Sequence, residues 1–286
     1  MKINMYKKRI AIIILMIGVV CSMLYFTQGA KRTYNDEITY GLNTYKEADP
    51  GILTEEDLKL LPGPVQKYLR YTGVVGKPKI WNFRGTFDGR MKTNNGWMNI
   101  TAEQYNFFKN PTRMFYIKGG MFGIPFYGIH AYKDQTGYML IKALGLIPVV
   151  NGRGPEMNQG DCVTLFNDMC LLAPASLIDK RIIWETVDDL TVKAKFCNGS
   201  ITVSAVLYFN GSGELINFES DDRYLSNTGA TYEKLRWSTP IKEYRDMDGV
   251  RLASNAEAVW TMADGSLFKY AGFIIKSIEY NCTDLK

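Results

Sequence analysis

His130 is the single histidine of the 286-residue chain, so histidine-rich metal sites are excluded and one side chain remains for histidine-based proton transfer. It stands in Tyr127-Gly128-Ile129-His130-Ala131-Tyr132, where the residue types predict a strand. Asp134 is the nearest carboxylate that would orient it, which gives a hydrolase-like reading with His130 as base. No Gly-x-Ser-x-Gly elbow and no Cys-x-x-Cys pair accompanies it, so packing outweighs catalysis for His130. Glu103, Glu156, Asp161 and Asp168 are further carboxylates that a fold could bring together. Asp161 has the position of a helix N-cap and Asp168 falls on the polar side of the same helix, so solvated roles are expected for both. Asp221-Asp222-Arg223 reads as a strand end with local charge pairing. Gly152-Arg153-Gly154 is too short to cradle a phosphate. The residues therefore imply neither a metal nor an organic cofactor, and no catalytic residue is assigned.

Aromatic residues carry a clearer message. From Trp81 to Tyr132 they recur on alternate positions of successive strand-like runs, which would make one sheet face an aromatic wall. Such a wall is either plain core or the lining of a cup that takes a hydrophobic, lipid-like ligand. Trp97, Gln104, Tyr105, Phe115 and Tyr132 are the candidate lining residues. The third alternative is an envelope interaction module with no small ligand.

Gly160 to Ile178 must position these strands. It is the one long stretch after the N-terminus that reads as a helix, with Cys162, Leu165, Phe166, Met169, Cys170 and Ala173 on one face and Pro174 closing it. Cys162 and Cys170 lie roughly 12 Å apart along such a helix, too far for a disulfide with each other. They read as small buried apolar residues, although Cys197 or Cys282 remain open as partners. Around the helix, strands are expected at 80–90, 97–107, 113–118, 123–133 and 138–143, then 190–196, 201–209, 231–237, 241–245, 256–262 and 267–280. Asn94-Asn95-Gly96, Asn198-Gly199 and Asp264-Gly265 mark tight turns. Thr54-Glu55-Glu56-Asp57 opens a capped helix, and Pro64 to Gly73 a second one. The fold class expected is α+β: a mainly antiparallel curved sheet, a half-barrel or cup, wrapped around a central helix.

Ile10 to Phe26 runs for about 17 residues without a charge, at the short end of what spans a bilayer. Lys7, Lys8 and Arg9 before it place the N-terminus in the cytoplasm and the body outside the cell. An uncleaved transmembrane anchor over 1–30 is expected, with signal cleavage near Gly29 or lipidation at Cys21 as alternatives. Residues 31–52 then form a juxtamembrane linker without periodicity, and 53–286 the extracytoplasmic β-rich domain. The net charge of +5 is nearly all in Lys2, Lys7, Lys8 and Arg9, so the folded part has no basic footprint for nucleic acid. The expected partners are the membrane and an apolar small molecule.

Leu61-Pro-Gly-Pro-Val-Gln-Lys-Tyr-Leu-Arg-Tyr-Thr-Gly73, Gly96-Trp97 through Ala102-Glu103-Gln104-Tyr105, Pro111, and Pro174-Ala175 to Ile178 resemble a bacterial domain-of-unknown-function family of membrane-anchored β-rich proteins. Asn167 and Leu172 depart from that pattern, which has an acid and an aromatic residue near them. The resemblance implies a fold rather than an activity. More loosely, a strand meander interrupted by a helix that fills its concave side is similar to periplasmic lipoprotein carriers and mycobacterial lipid-binding lipoproteins.

Overall fold

The computed structural model describes residues 2–47, 49–93 and 96–286, with the side chains of 2–6, 8, 9 and 19–24 outside the described set. The Asn94-Asn95 turn and the Cys21 side chain fall outside it. Helices α1 (Lys2–Thr27) and α2 (Gly29–Thr44) follow each other almost without a break. Short α3 (Glu55–Leu58) and α4 (Gly63–Thr72) come next. Thr54 caps α3 as expected, with its N–H and hydroxyl donating to Asp57 at 2.8 and 2.9 Å. Gly73 closes α4 at φ 72°, the left-handed conformation that glycine tolerates.

A meander follows: β1 (Asn82–Thr93), β2 (Gly96–Phe107), β3 (Thr112–Met121), β4 (Ile124–Lys133), β5 (Thr136–Ala143) and β6 (Ile147–Gly152). The central helix α5 (Pro155–Leu172) and a 3-10 turn (Pro174–Ile178) lead to the second set. This comprises β7 (Ile182–Thr186), β8 (Thr191–Asn198), β9 (Ile201–Phe209), β10 (Leu215–Leu225), β11 (Glu233–Ser238), β12 (Ile241–Met247), β13 (Val250–Thr261) and β14 (Leu267–Tyr280). Among the described residues all fourteen strands join one antiparallel sheet, ordered β6-β5-β4-β3-β2-β1-β14-β13-β11-β10-β9-β8-β7, with β12 beside β13. The expected α+β class and curved antiparallel sheet are what the chain adopts.

The sheet curls far enough for strands distant in that order to meet. Ser200 donates from its N–H (2.6 Å) and hydroxyl (2.9 Å) to Gln135 Oε1, joining the β8–β9 and β4–β5 turns. Asn151 N–H donates to Thr228 O at 3.1 Å, joining β6 to the β10–β11 connection. What the strands enclose is α5, buried at every residue from Gly160 to Leu172. Each buried Leu, Phe or Met side chain there contributes about 1.5–3 kcal/mol. This corrects the expectation of a single apolar face. The helix is covered on all sides, so its polar residues are buried too and must find partners inside. Its start is also corrected: Pro155 occupies the first turn and Gly154 the cap, which leaves Asp161 in the interior rather than at the N-cap.

The stretch expected to be a linker is largely α2. Tyr34, Ile38, Gly41 and Leu42 form its buried stripe, packed with Tyr105, Phe107, Met114 and Tyr116 on the outer face of β2 and β3. A Cβ on Gly41 would stand 2.6 Å from the Phe107 ring, so glycine sets how closely the helix docks. The first strands are thus covered on both faces. β6, β7 and β10 were not among the expected strands.

Among the described residues no helix is long and apolar enough to cross a membrane. The expected anchor run lies in α1, and where its side chains are described they face solvent, with Ile10, Ile12, Ile13, Ile14, Leu15, Met16 and Ile17 all exposed.

Candidate functional site

Because consecutive strands are antiparallel, the β1–β2, β3–β4 and β5–β6 connections lie together at one rim, and the β2–β3 and β4–β5 connections at the opposite rim. The first is called the near rim, the second the far rim. The hydrogen bonds that α5 makes to strands β2–β4 and β14 fall on the far-rim halves of those strands. Asp168 Oδ2 accepts from Gln104 Nε2 at 2.7 Å, Asn106 Nδ2 at 3.1 Å and Arg113 Nε at 2.7 Å. His130 Nε2 pairs with Asp161 Oδ1, and Tyr280 Oη donates to Leu172 O at 2.6 Å. Asn167, on the opposite side, donates to Thr239 Oγ1 at 2.6 Å.

These bonds form a buried polar platform. Arg113 brings a full charge into it, balanced by Asp168, with the guanidinium 4.8 Å over the Phe115 ring. Gln104 Nε2 also donates to Asn106 Oδ1 at 2.9 Å, so Asn106 both accepts and donates. Asp168, expected on a solvated helix side, is instead the acceptor at its centre. Asp134, the expected partner of His130, instead accepts from Asn110 Nδ2 at 2.9 Å in the β4–β5 turn. Asp161 takes the histidine. A His–Asp pair orients a general base, but the ladder neighbours of His130 are Phe115 and Met139, neither of which is a nucleophile. Asp161 Oδ2 is buried without a hydrogen-bond partner among the described residues, beside Gly137, where a Cβ would come within 2.5 Å of it.

A second cation points inward from β10. The Arg223 guanidinium lies 4.2 Å over Trp237 and 5.6 Å from Trp260, with Nε buried and without a hydrogen-bond partner among the described residues. The Asp221-Asp222-Arg223 motif is therefore mid-strand, at a bulge, and not a strand end. Asp221 does pair locally, with Arg236 at 2.8 Å, and this holds its carboxyl below the usual range.

Toward the near rim the inner face turns apolar. Register puts Phe87, Met91, Met98, Ile100, Ile117, Phe126 and Phe273 on one surface, through the pairs Met91–Met98, Gly89–Ile100, Gly89–Phe273 and Gly119–Phe126. Phe273 meets Phe87 and Phe115 edge-on, with centroids 6.4 and 6.0 Å apart. Met91, Met98, Tyr270 and Phe273 are only partly buried there, although they pack on the core. A separate cleft of about 330 Å³ opens at the far rim between Gln135, Pro155, Asn158, Gln159, Ser200, Ile201 and Thr202, and it is largely polar.

The five candidate lining residues divide. Gln104, Phe115 and Tyr132 share the inner face, where Tyr132 Oη accepts from Asn198 Nδ2 at 2.8 Å. Tyr105 lies on the outer face beneath α2, and burial pushes its hydroxyl up to about 12. Trp97 is outside at the near rim, 40% exposed, with the Arg90 guanidinium 4.6 Å over its ring. Strand period accounts for the split, since Gln104 and Tyr105 are neighbours and must face opposite ways. Sequence reasoning missed Arg113, Met91, Met98 and Phe273, and it named Asp168 and Arg223 in other roles. Arg113 had a signal: it is in phase with Phe115 and Ile117, which marks an inward-facing cation.

Cys162 and Cys170 are buried free thiols in α5, as expected. Burial pushes Cys162 up to about 12 and raises Cys170. Among the described residues no cluster of His, Cys, Asp and Glu is arranged to hold a metal.

Three solved structures are similar to the chain at 10% identity. A DUF1329 family protein from Desulfovibrio piger ATCC 29098 covers 76% of this chain and 91% of its own, with a TM-score of 0.43. A LolA superfamily protein from Nitrosomonas europaea covers 78% and 94%, at 0.43. An outer membrane lipoprotein-sorting protein domain from Vibrio parahaemolyticus covers 76% and 90%, at 0.37. No curated protein matches the chain. Residues 51–273 match the sequence model of a family described as "Family of unknown function (DUF6544)".

Proposed function

We propose, taking as premise that the chain belongs to the DUF6544 family, that it is a membrane-held domain that binds an amphipathic, lipid-like molecule inside its β cup. The observation that carries this reading is the division of the inner face. Polar groups gather on α5 and the far-rim strand halves, while a partly buried wall of Met91, Met98, Tyr270 and Phe273 faces the near rim. Methionine and aromatic side chains adapt to flexible hydrocarbon, and the inward cation Arg113 on the far-rim half suits a polar or anionic end, with Arg223 standing beside the Tyr270 side of the wall. Phe115 lies between the two regions, with Gln104 and Tyr132 on the polar, far-rim side. The exposed apolar residues Ile10–Ile17 of α1 support membrane attachment, because water disfavours so long an uncovered apolar surface. With Lys7 to Arg9 on the cytoplasmic side, the domain faces outward.

The test is solvent extraction of the full chain, purified from membranes in mild detergent, followed by mass spectrometry of the extract. A lipid in near-stoichiometric amount is expected, and its loss in Met98→Arg, which puts a charge in the wall at a partly buried position. Equal lipid in the wild type and the variant would contradict the assignment, as would none in either.

A further inference from the structure

From the turn chemistry and the exit of α1, we infer that the near rim of the cup is seated in the headgroup layer of an anionic bilayer, with the mouth opening onto lipid. The inference rests on α1 being held in that bilayer.

Two-residue hairpin turns need positive φ, and Asn, Asp or Gly normally supply it. Away from the near rim polar residues or glycine take these positions, with Asp134-Gln135 at 49° and 62° and Asp248-Gly249 at 55° and 77°. At the β3–β4 and β5–β6 turns of the near rim apolar residues stand there instead. Phe122 takes φ 53° before Gly123 and Leu144 takes 54° before Gly145. A bulky apolar residue in the left-handed region costs of order 1–3 kcal/mol, and the turn geometry alone does not select one. Phe122 is 81% exposed, so no packing offsets the strain. Ile124, Leu146, Ile147 and Val149 extend the same apolar edge, and all four are exposed.

The occupant follows from where the first helix leaves. Gly41 of α2 lies on Phe107 at the far-rim end of β2, whereas Lys31, near the start of α2, pairs with Glu103 closer to the middle of that strand. The helix therefore descends from the near rim. At its head, the backbone of Phe26 and Thr27 packs on Gly145, where a Cβ would stand 2.5 Å from Thr27 Cα. The exposed apolar helix α1 thus departs beside the two hydrophobic turns. Arg90 and Lys92 flank the exposed Trp97 at the same rim, at 4.6 and 5.5 Å from its ring, and Lys118 stands exposed nearby. Among the described residues none of these three cations is in a salt bridge. An aromatic residue between cations, beside apolar tips, matches the interface of an anionic membrane. The patch is bounded at the β13–β14 turn, which carries Asp264.

The test is spin-label accessibility in the full chain, reconstituted in vesicles of equal phosphatidylglycerol and phosphatidylcholine, with Cys21→Ser and Cys197→Ser as background. A label at Leu146→Cys is expected to be more accessible to oxygen than to a water-soluble nickel chelate. A label at Lys109→Cys on the far rim should show the reverse, and adding Phe122→Asp should return the Leu146 label toward water. If both labels report water while the chain resists a carbonate wash, the seating is overturned and the anchor stands. If carbonate releases the chain, the anchor itself fails and the seating with it. Ligand content plays no part in either outcome, so the cup reading is judged separately.

Discussion

Asp168 concentrates the electrostatics of the interior on one oxygen, which accepts from Gln104, Asn106 and Arg113. Removing it strands a buried guanidinium and two amide donors, so Asp168→Ala is expected to destabilise the domain by about 3–5 kcal/mol in denaturant titration. Asp168→Asn, which keeps an acceptor oxygen, should cost less. Equal stability of wild type and Asp168→Ala would show that the platform is hydrated rather than closed. The thiols give a second residue-scale prediction, with a defined sign. Folding raises Cys162 to about 12 from an unfolded value near 8.5, so the folded state favours the neutral thiol. Its contribution is fully present below about pH 8.5 and is lost as pH rises toward 12. Unfolding at pH 8 and pH 10.5 should differ in that direction, and less so in Cys162→Ala. At pH 8 an alkylating reagent should modify Cys197 well before Cys162 or Cys170, since Cys197 is partly exposed.

Two elements hold the cup in shape, one inside and one out. Gly137 of β5 admits α5, because a Cβ there would come within 2.5 Å of both Asp161 Oδ2 and Met157 O. Gly137→Ala should therefore lower the unfolding free energy by about 1–3 kcal/mol, the cost of overpacking, and a neutral result would mean that the helix can shift. Outside, Ile38→Asp is expected to release α2 from β2 and β3, so that limited proteolysis cuts between residues 28 and 50 while α5 stays protected. The sequence announced these two elements unequally. The inner helix was legible because Cys162, Leu165, Phe166 and Met169 repeat at helical spacing, yet that same pattern concealed the burial of its polar side. Asp161 and Asp168 become interior only because the sheet closes round the helix, and no local pattern encodes closure. α2 was missed because Tyr34, Ile38, Gly41 and Leu42 form a narrow stripe among charged residues, with a glycine where an apolar side chain would have signalled contact. β10 was hidden by its bulge, which breaks the alternation at Ser220 to Arg223.

At the scale of the whole molecule, the chain is a curved sheet about one helix, with a polar platform toward the far rim and apolar side chains toward the near one, and an exposed apolar helix leaving beside the apolar edge. The strand alternation that predicted an aromatic wall was correct for Phe87 and Phe115, but it could not say which end of the wall α5 leaves uncovered. Proposing that a lipid-like molecule occupies that end makes the position of contact the critical quantity. Photocrosslinking with a diazirine-bearing fatty acid, read by peptide mass spectrometry on the full chain, measures it directly. Adducts should concentrate on Met91, Met98, Tyr270 and Phe273 and be competed away by unlabelled lipid. Adducts confined to α1 or the outer faces of the strands, or indifferent to competition, would contradict a ligand within the cup.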